Sequence, residues 1–175
     1  MNKLLVGIVI GVLSGLLACA ITVYLVIISG VIPARQDEAA SDLERWAAHQ
    51  SLRATIKREA PASVPTEATV DDENLLAGAK VYAGNCSGCH GGPQSKNPVF
   101  AAAYSPSAPL FANGDSVTDD PEGKIYWKID HGIRFTGMPA FNKILSEKEM
   151  WQVTLFLKHL DKLPAKTAEY WAQIK

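Results

Sequence analysis

The sequence predicts an all-α protein in three parts: an apolar N-terminal helix, a polar helical stalk and a small helical domain. Three observations carry this. Leu4 to Ile32 contains no charged residue. Three later segments repeat apolar residues at helical spacing between recognisable cap residues. Between the first two of these, Cys86 and Cys89 stand just before His90, ahead of a long stretch without periodicity. The chain has 175 residues and a net charge of −1, too balanced for a nucleic-acid surface and too little acidic for disorder. Of the three cysteines, Cys19 lies in the apolar run, which leaves no disulfide framework.

The apolar run reaches roughly 40 Å at helical rise, against ~30 Å of hydrocarbon, so it can span with tilt. A cleaved signal peptide would have an apolar region of only ~7–15 residues. Leu16-Leu17-Ala18-Cys19 also reads as a lipobox, with cleavage before Cys19 and acylation of it. The residues after Cys19 stay apolar, whereas a lipoprotein turns polar there; this favours an uncleaved anchor over residues 1–35. Either way the rest of the chain is tethered. Loop charges barely set the orientation, with Lys3 on one side and Arg35 on the other. Gly7, Gly11 and Gly15 form a small-residue stripe that a partner helix could approach closely, although glycine is common in membrane helices anyway.

Residues 36–69 read as a stalk and linker. Gln36 to Ala60 has good helix formers but only a weak apolar face of Leu43, Trp46, Ala47 and Ala54. It suits a stalk or a helix resting on a partner, and Trp46 equally suits the lipid interface. Pro61-Ala62-Ser63-Val64-Pro65-Thr66 breaks it into a short, stiff linker. The folded domain covers 70–163. Its first helix is capped by Asp71 or Asp72, and Gly78 allows a close crossing. A middle helix has Asp120 as cap, Pro121 in its first position and Gly132 just past its end. The last opens on a capping box, Ser146 to Glu149, and runs through Trp151 to Leu160. Residues 164–175 are left as a C-terminal tail.

Cys86-Ser87-Gly88-Cys89-His90 is C-x-x-C-H, the signature of c-type haem attachment. Two thiols about a helical turn apart can each form a thioether with one porphyrin vinyl group, and the next residue aims its imidazole at the iron. A zinc knuckle would need a second ligand pair, and a thioredoxin-like redox pair a βαβ setting. Neither is present in the sequence. A flat apolar cofactor also explains why Gly91 to Asp119 lacks periodicity, since an irregular loop can bury its side chains on the ring. The second axial ligand is Met138, with Gly137 before it and Pro139 after. A thioether is soft and neutral, favouring ferrous iron; the plainer reading is a core filler. His131, His159 and His49 are expected to be ordinary. The Pro109 carbonyl is the candidate acceptor for His90 Nδ1–H. Tyr126, Trp127 and Phe141 are candidates for pocket packing, and Trp127 or Arg134 for a propionate.

Val70 to Leu163, with its C-x-x-C-H, Pro109-Leu110 and Gly137-Met138-Pro139 elements, resembles the class I c-type cytochromes. The run from Ile129 to Phe141 is similar to that of membrane-tethered bacterial monohaem cytochromes. The proline-leucine element usually sits nearer the motif than it does here. The resemblance implies the class I cytochrome c fold, helices wrapped round one covalent haem c, with the first and last helices crossing. With His90 and Met138 both bound, the iron has no open position. The chain is then a one-electron carrier and not itself an enzyme, either a tethered shuttle or an electron-transfer subunit of a respiratory or dehydrogenase complex. Its partners would be the membrane and redox proteins, with no nucleic acid. It would sit in a bacterial inner membrane with the haem domain on the periplasmic side. The alternative is a haem-based gas or redox sensor, or a peroxidase-like enzyme, with a labile distal ligand.

Overall fold

The computed structural model describes all residues except Met1, Pro33, Gln36, Glu67, Lys96, Asn97, Val99, Gly114 and Asp115, and leaves aside the side chains of Asn113 and Ser116. The described residues are all-helical: seven α-helices, three short 3-10 turns and no strand. Two compact units divide the chain, Met1–Glu38 and Ala39–Lys175.

The first unit is one helix, α1 (Lys3–Ile28). It is long and apolar enough to cross a membrane once, and fits a single-pass anchor. Its one internal threonine, Thr22, donates its hydroxyl to the Ala18 carbonyl at 2.9 Å, which satisfies that hydroxyl within the helix. Around Gly7, Gly11 and Gly15 the space is open for 4 Å.

The second unit starts with α2 (Asp42–Glu59), later than the expected Gln36, which lies outside the described residues. Ser41 takes the N-cap, its hydroxyl accepting the Glu44 N–H at 3.3 Å. The far end of α2 is docked. Ile56 is buried, and beyond the helix the Pro61 carbonyl oxygen lies 1.9 Å from where a Cβ on Gly123 would be. Val64 and Ala68 then pack on the core. The proline segment therefore runs along the domain instead of hanging free from it.

Helix α3 (Asp72–Asn85) is capped by Asp71, which accepts the Asn74 N–H at 2.8 Å. A single turn, α4 (Ser87–His90), follows it, and then the irregular stretch with its 3-10 turns. Helix α5 (Glu122–His131) ends at Gly132, whose φ of +66° is left-handed and suits glycine. Asp120 does not cap it. Pro121 holds the cap position, and the Asp120 carboxylate instead takes two lysine ammoniums described below. Helix α6 (Glu147–Lys158) has the capping box foreseen: Ser146 Oγ accepts Glu149 N–H at 3.3 Å, and Glu149 accepts Ser146 N–H at 2.8 Å.

The core forms where α3 crosses α6. A Cβ on Gly78 would stand 2.1 Å from the Gln152 carbonyl oxygen and 2.8 Å from Phe156 Cβ, so the two backbones touch. Ala79, Tyr82, Val153 and Phe156 are fully buried around this point, with Ile125 and Ile129 of α5 beside them.

Packing also continues beyond Leu163. Residues expected to form a tail make α7 (Ala165–Trp171), whose Trp171 meets Tyr82 and Phe156 edge-on at 5.4 and 5.6 Å. Ile174 is buried, and its carbonyl accepts the Gln94 N–H at 3.1 Å. A short polar-looking helix hides its role in the sequence because one large aromatic carries most of its contact.

Gly78→Ala should destabilise the domain by about 1–3 kcal/mol, because the clash is with backbone and only separating the helices relieves it. A lowered denaturant midpoint, followed by far-ultraviolet circular dichroism, is the readout.

Candidate cofactor site

The cysteine motif is held as a continuation of α3. Cys86 caps that helix, and its carbonyl accepts the His90 N–H at 2.9 Å, winding Cys86 to His90 into one turn. Gly91, at φ +70°, stops the turn. Its carbonyl accepts the buried Tyr82 hydroxyl at 2.6 Å, which ties the motif to the core. Burial, and then Cys86 and Cys89, push the Tyr82 ionisation upward, so the phenol stays a donor.

Both motif thiols are half-buried and line one cavity. Burial first, then the neighbouring Cys89, pushes the Cys86 thiol up to about 12. A thiol so protonated does not behave like the low-pKa thiolate of a redox-active cysteine pair. Among the described residues no group of three or more His, Cys, Asp or Glu is gathered to hold a metal ion, so the sulfurs have no second ligand pair for zinc.

His90 Nδ1 lies 2.9 Å from the Pro109 carbonyl oxygen. A carbonyl only accepts, so Nδ1 carries the proton and Nε2 keeps a free lone pair. Burial lowers the His90 pKa, the Pro109 bond opposes that, and nearby Lys128 adds to the lowering. The imidazole is therefore neutral near pH 7. Phe111 stacks on its ring at 4.6 Å and 6°, fixing the ring plane.

Met138 lines the same cavity from a tied loop. Its carbonyl accepts the Ile133 N–H at 3.1 Å, and its own N–H reaches Thr136 Oγ1 at 3.1 Å. Gly137 lies flat on Tyr104: a Cβ there would be 2.4 Å from the ring. Phe141 N–H bonds the Ile129 carbonyl at 3.0 Å and closes the loop onto α5.

The structure brings Cys86, Cys89, His90, Pro109, Phe141 and Met138 together, and does not bring Tyr126, Trp127 or Arg134 to them. The reason is helix phase. Ile125, Lys128 and Ile129, at i, i+3 and i+4, face the cavity. Tyr126 turns away to stack on Trp151 at 4.2 Å, and Trp127 stacks on His131 at 4.9 Å. The buried Trp127 Nε1 approaches the Glu59 carboxylate without a formed hydrogen bond. Arg134 is exposed on the loop. His159 bonds the Leu155 carbonyl at 2.9 Å, and His49 is exposed on α2.

Tyr104, Phe111, Asp120 and Lys128 were missed from the sequence. The first two lie in the aperiodic loop and gave no signal. Lys128 could have been found from the Ile125–Ile129 spacing. Its ammonium binds Asp120 Oδ2 at 2.9 Å, while Lys124 takes the other oxygen at 2.6 Å. Partial burial acts to raise the Asp120 pKa, but these two ammoniums outweigh it and hold the carboxyl below its usual 3.8.

The cavity holds about 410 Å³ and is mostly apolar. A flat apolar group with two sulfur attachments, an imidazole and a thioether around it fits those walls, and the missing Cβ of Gly137 keeps the loop close to Tyr104. An all-helical frame closed round such a cavity, with C-x-x-C-H in its wall, defines a c-type cytochrome domain. A family described as cytochrome c oxidase, cbb3-type, subunit III matches residues 73–157, from the start of α3 almost to the end of α6. The cofactor of this domain is covalently bound haem c. No curated protein matches the chain.

The Asp120 carboxylate gives the domain a test in acid. A depressed pKa contributes stability that is full above the unfolded value and lost as pH falls through the folded one. Asp120→Asn should therefore flatten the fall in unfolding midpoint below about pH 4, and a pH series of midpoints checks it.

Proposed function

We propose that Cys86 and Cys89 hold the haem by thioethers, that His90 Nε2 and Met138 Sδ are the axial ligands, and that the chain is a one-electron carrier acting as a fixed subunit of a membrane-bound redox complex. The observation that carries this is the His90 ring, oriented by the Pro109 carbonyl at 2.9 Å in the cavity that Met138 also lines. The bound haem supplies a one-electron iron couple. The chain's part is to present a neutral imidazole lone pair, oriented by its second hydrogen bond, and a soft thioether that favours the reduced iron. Lys128, at the cavity wall beside Asp120, is the cation we assign to the cofactor's carboxylates in place of Arg134.

Two protein ligands leave no position for a substrate, which separates this reading from a sensor or peroxidase. The several bonds on the Met138 loop support a firm ligand rather than a labile one. The subunit reading is supported by the docked end of α2, by the open stripe at Gly7, Gly11 and Gly15, and by the description of the matching family as an oxidase subunit. Because haem is attached to such motifs outside the cytoplasm, residues 39–175 are placed on the periplasmic side of a bacterial inner membrane. The haem domain then runs from residue 70 through α7 and Ile174, which pack on its core, with 1–35 as anchor and 36–69 as stalk and linker.

Met138→Ala should open the distal site: carbon monoxide binds the reduced variant and not the reduced parent, and the midpoint potential falls. Equal binding by both proteins would remove Met138 as ligand. On a native gel of gently solubilised membranes stained for covalent haem, the chain should migrate with a large assembly. Migration at the mass of one or two chains would mean a tethered shuttle instead.

A further inference from the structure

We infer that one face of α2 lies on the membrane surface, with Leu43 and Trp46 in the interface and Arg53 and Lys57 on anionic phospholipid headgroups. Leu43 and Trp46 are 73% and 60% exposed, whereas the other large apolar residues of the helix, Leu52 and Ile56, are half-buried and buried nearer its far end. Trp46, Arg53 and Lys57 share one face, at i, i+7 and i+11, and Leu43 lies one turn before Trp46. Among the described residues Arg53 and Lys57 make no ion pair, whereas Arg45 is paired with Asp42 and Arg58 with Glu59. A face of tryptophan, leucine and unpaired cations is the composition of an interfacial helix.

Chain length selects the occupant. The apolar run ends at Ile32, and residues 33–41 can extend at most about 30 Å before α2 begins. If α1 spans the bilayer, this face is never far from the lipid. Such a tether turns a weak contact into an intramolecular one at an effective concentration on the order of millimolar. Two apolar side chains and two cations would not hold a free protein to a membrane, but they suffice under that tether. Ile56 and the Pro61–Gly123 contact fix the far end of α2 to the haem domain. The lipid contact therefore orients the whole unit Ala39–Lys175.

The test uses the full-length, haem-loaded chain with Cys19→Ser, in nanodiscs of anionic or zwitterionic lipid. Single nitroxide labels are placed at Leu43→Cys, Trp46→Cys and, on the opposite side of the helix, Ala48→Cys. The haem absorption of each variant reports that it is folded, and retention in the nanodisc fraction reports that α1 is anchored. Labels at 43 and 46 should be immersed about 5–10 Å, open to oxygen and closed to a water-soluble nickel chelate, with the label at 48 aqueous. Immersion should be shallower in zwitterionic lipid; equal depth in both overturns the role of Arg53 and Lys57. Labels at 43 and 46 as open to nickel as that at 48 would overturn the contact. Protection seen in native membranes but not in nanodiscs of the purified chain would assign the face to a protein partner and overturn the lipid reading.

Discussion

Helices α3 and α6 pass at backbone distance, because Gly78 leaves room for the Gln152 carbonyl where a side chain would otherwise stand. Most of the second unit follows from that crossing. One turn further along α3, Tyr82 is driven beneath Phe156 and sealed from the other side by Trp171. From there its hydroxyl can reach only one way, to the Gly91 carbonyl, and so it pins the turn that carries both cysteines and His90. The motif's position is thus inherited from a contact between two glycine-permitted backbones several residues away. Burial alone would leave α3 free to slide along α6. The steric fit at Gly78 selects one register.

The cavity is the second half of the design. Ile125 and Ile129 of α5, Phe111 of the loop and Leu157 of α6 supply an apolar lining on a domain too small to bury much core by itself. A haem held in this cavity would complete the core with a rigid plane, and the described parts of the stretch between α4 and α5 could then remain irregular. Its 3-10 turns do not need to satisfy a helical or sheet period. They need only place Tyr104, Pro109 and Phe111 at particular points on the cavity wall.

Sequence reading did well wherever a local rule governs. The caps at Asp71 and Ser146 and the stop at Gly132 depend on residue type and near neighbours, and Gly78 allows the crossing because it lacks a side chain. It did poorly where tertiary phase decides. Tyr126 and Trp127 are aromatic and flank the right helix, yet a rotation of about 100° per residue turns them from the cavity while Ile125 and Lys128 stay in it. The role of α7 is hidden because its inward residues, Thr167, Tyr170 and Trp171, make no long apolar stripe. Asp120 stands at a cap position in the sequence, but Lys124 and Lys128 claim its carboxylate.

The loop around Met138 is tied from both sides. Thr136 bonds the Met138 N–H, Ile133 bonds its carbonyl, and Tyr104 covers Gly137 so closely that no side chain fits. His90 is likewise clamped between Pro109 and Phe111. Under the proposed ligation, a unit change of charge in the cavity would find its nearest polar atoms already in place and with little freedom to shift. An environment that need not rearrange adds little to the activation barrier of the charge change. The stiffness that the glycine and the short bonds give this loop is thus a kinetic property: it keeps the reorganisation energy small, so that exchange can be fast in both directions even when the driving force is slight.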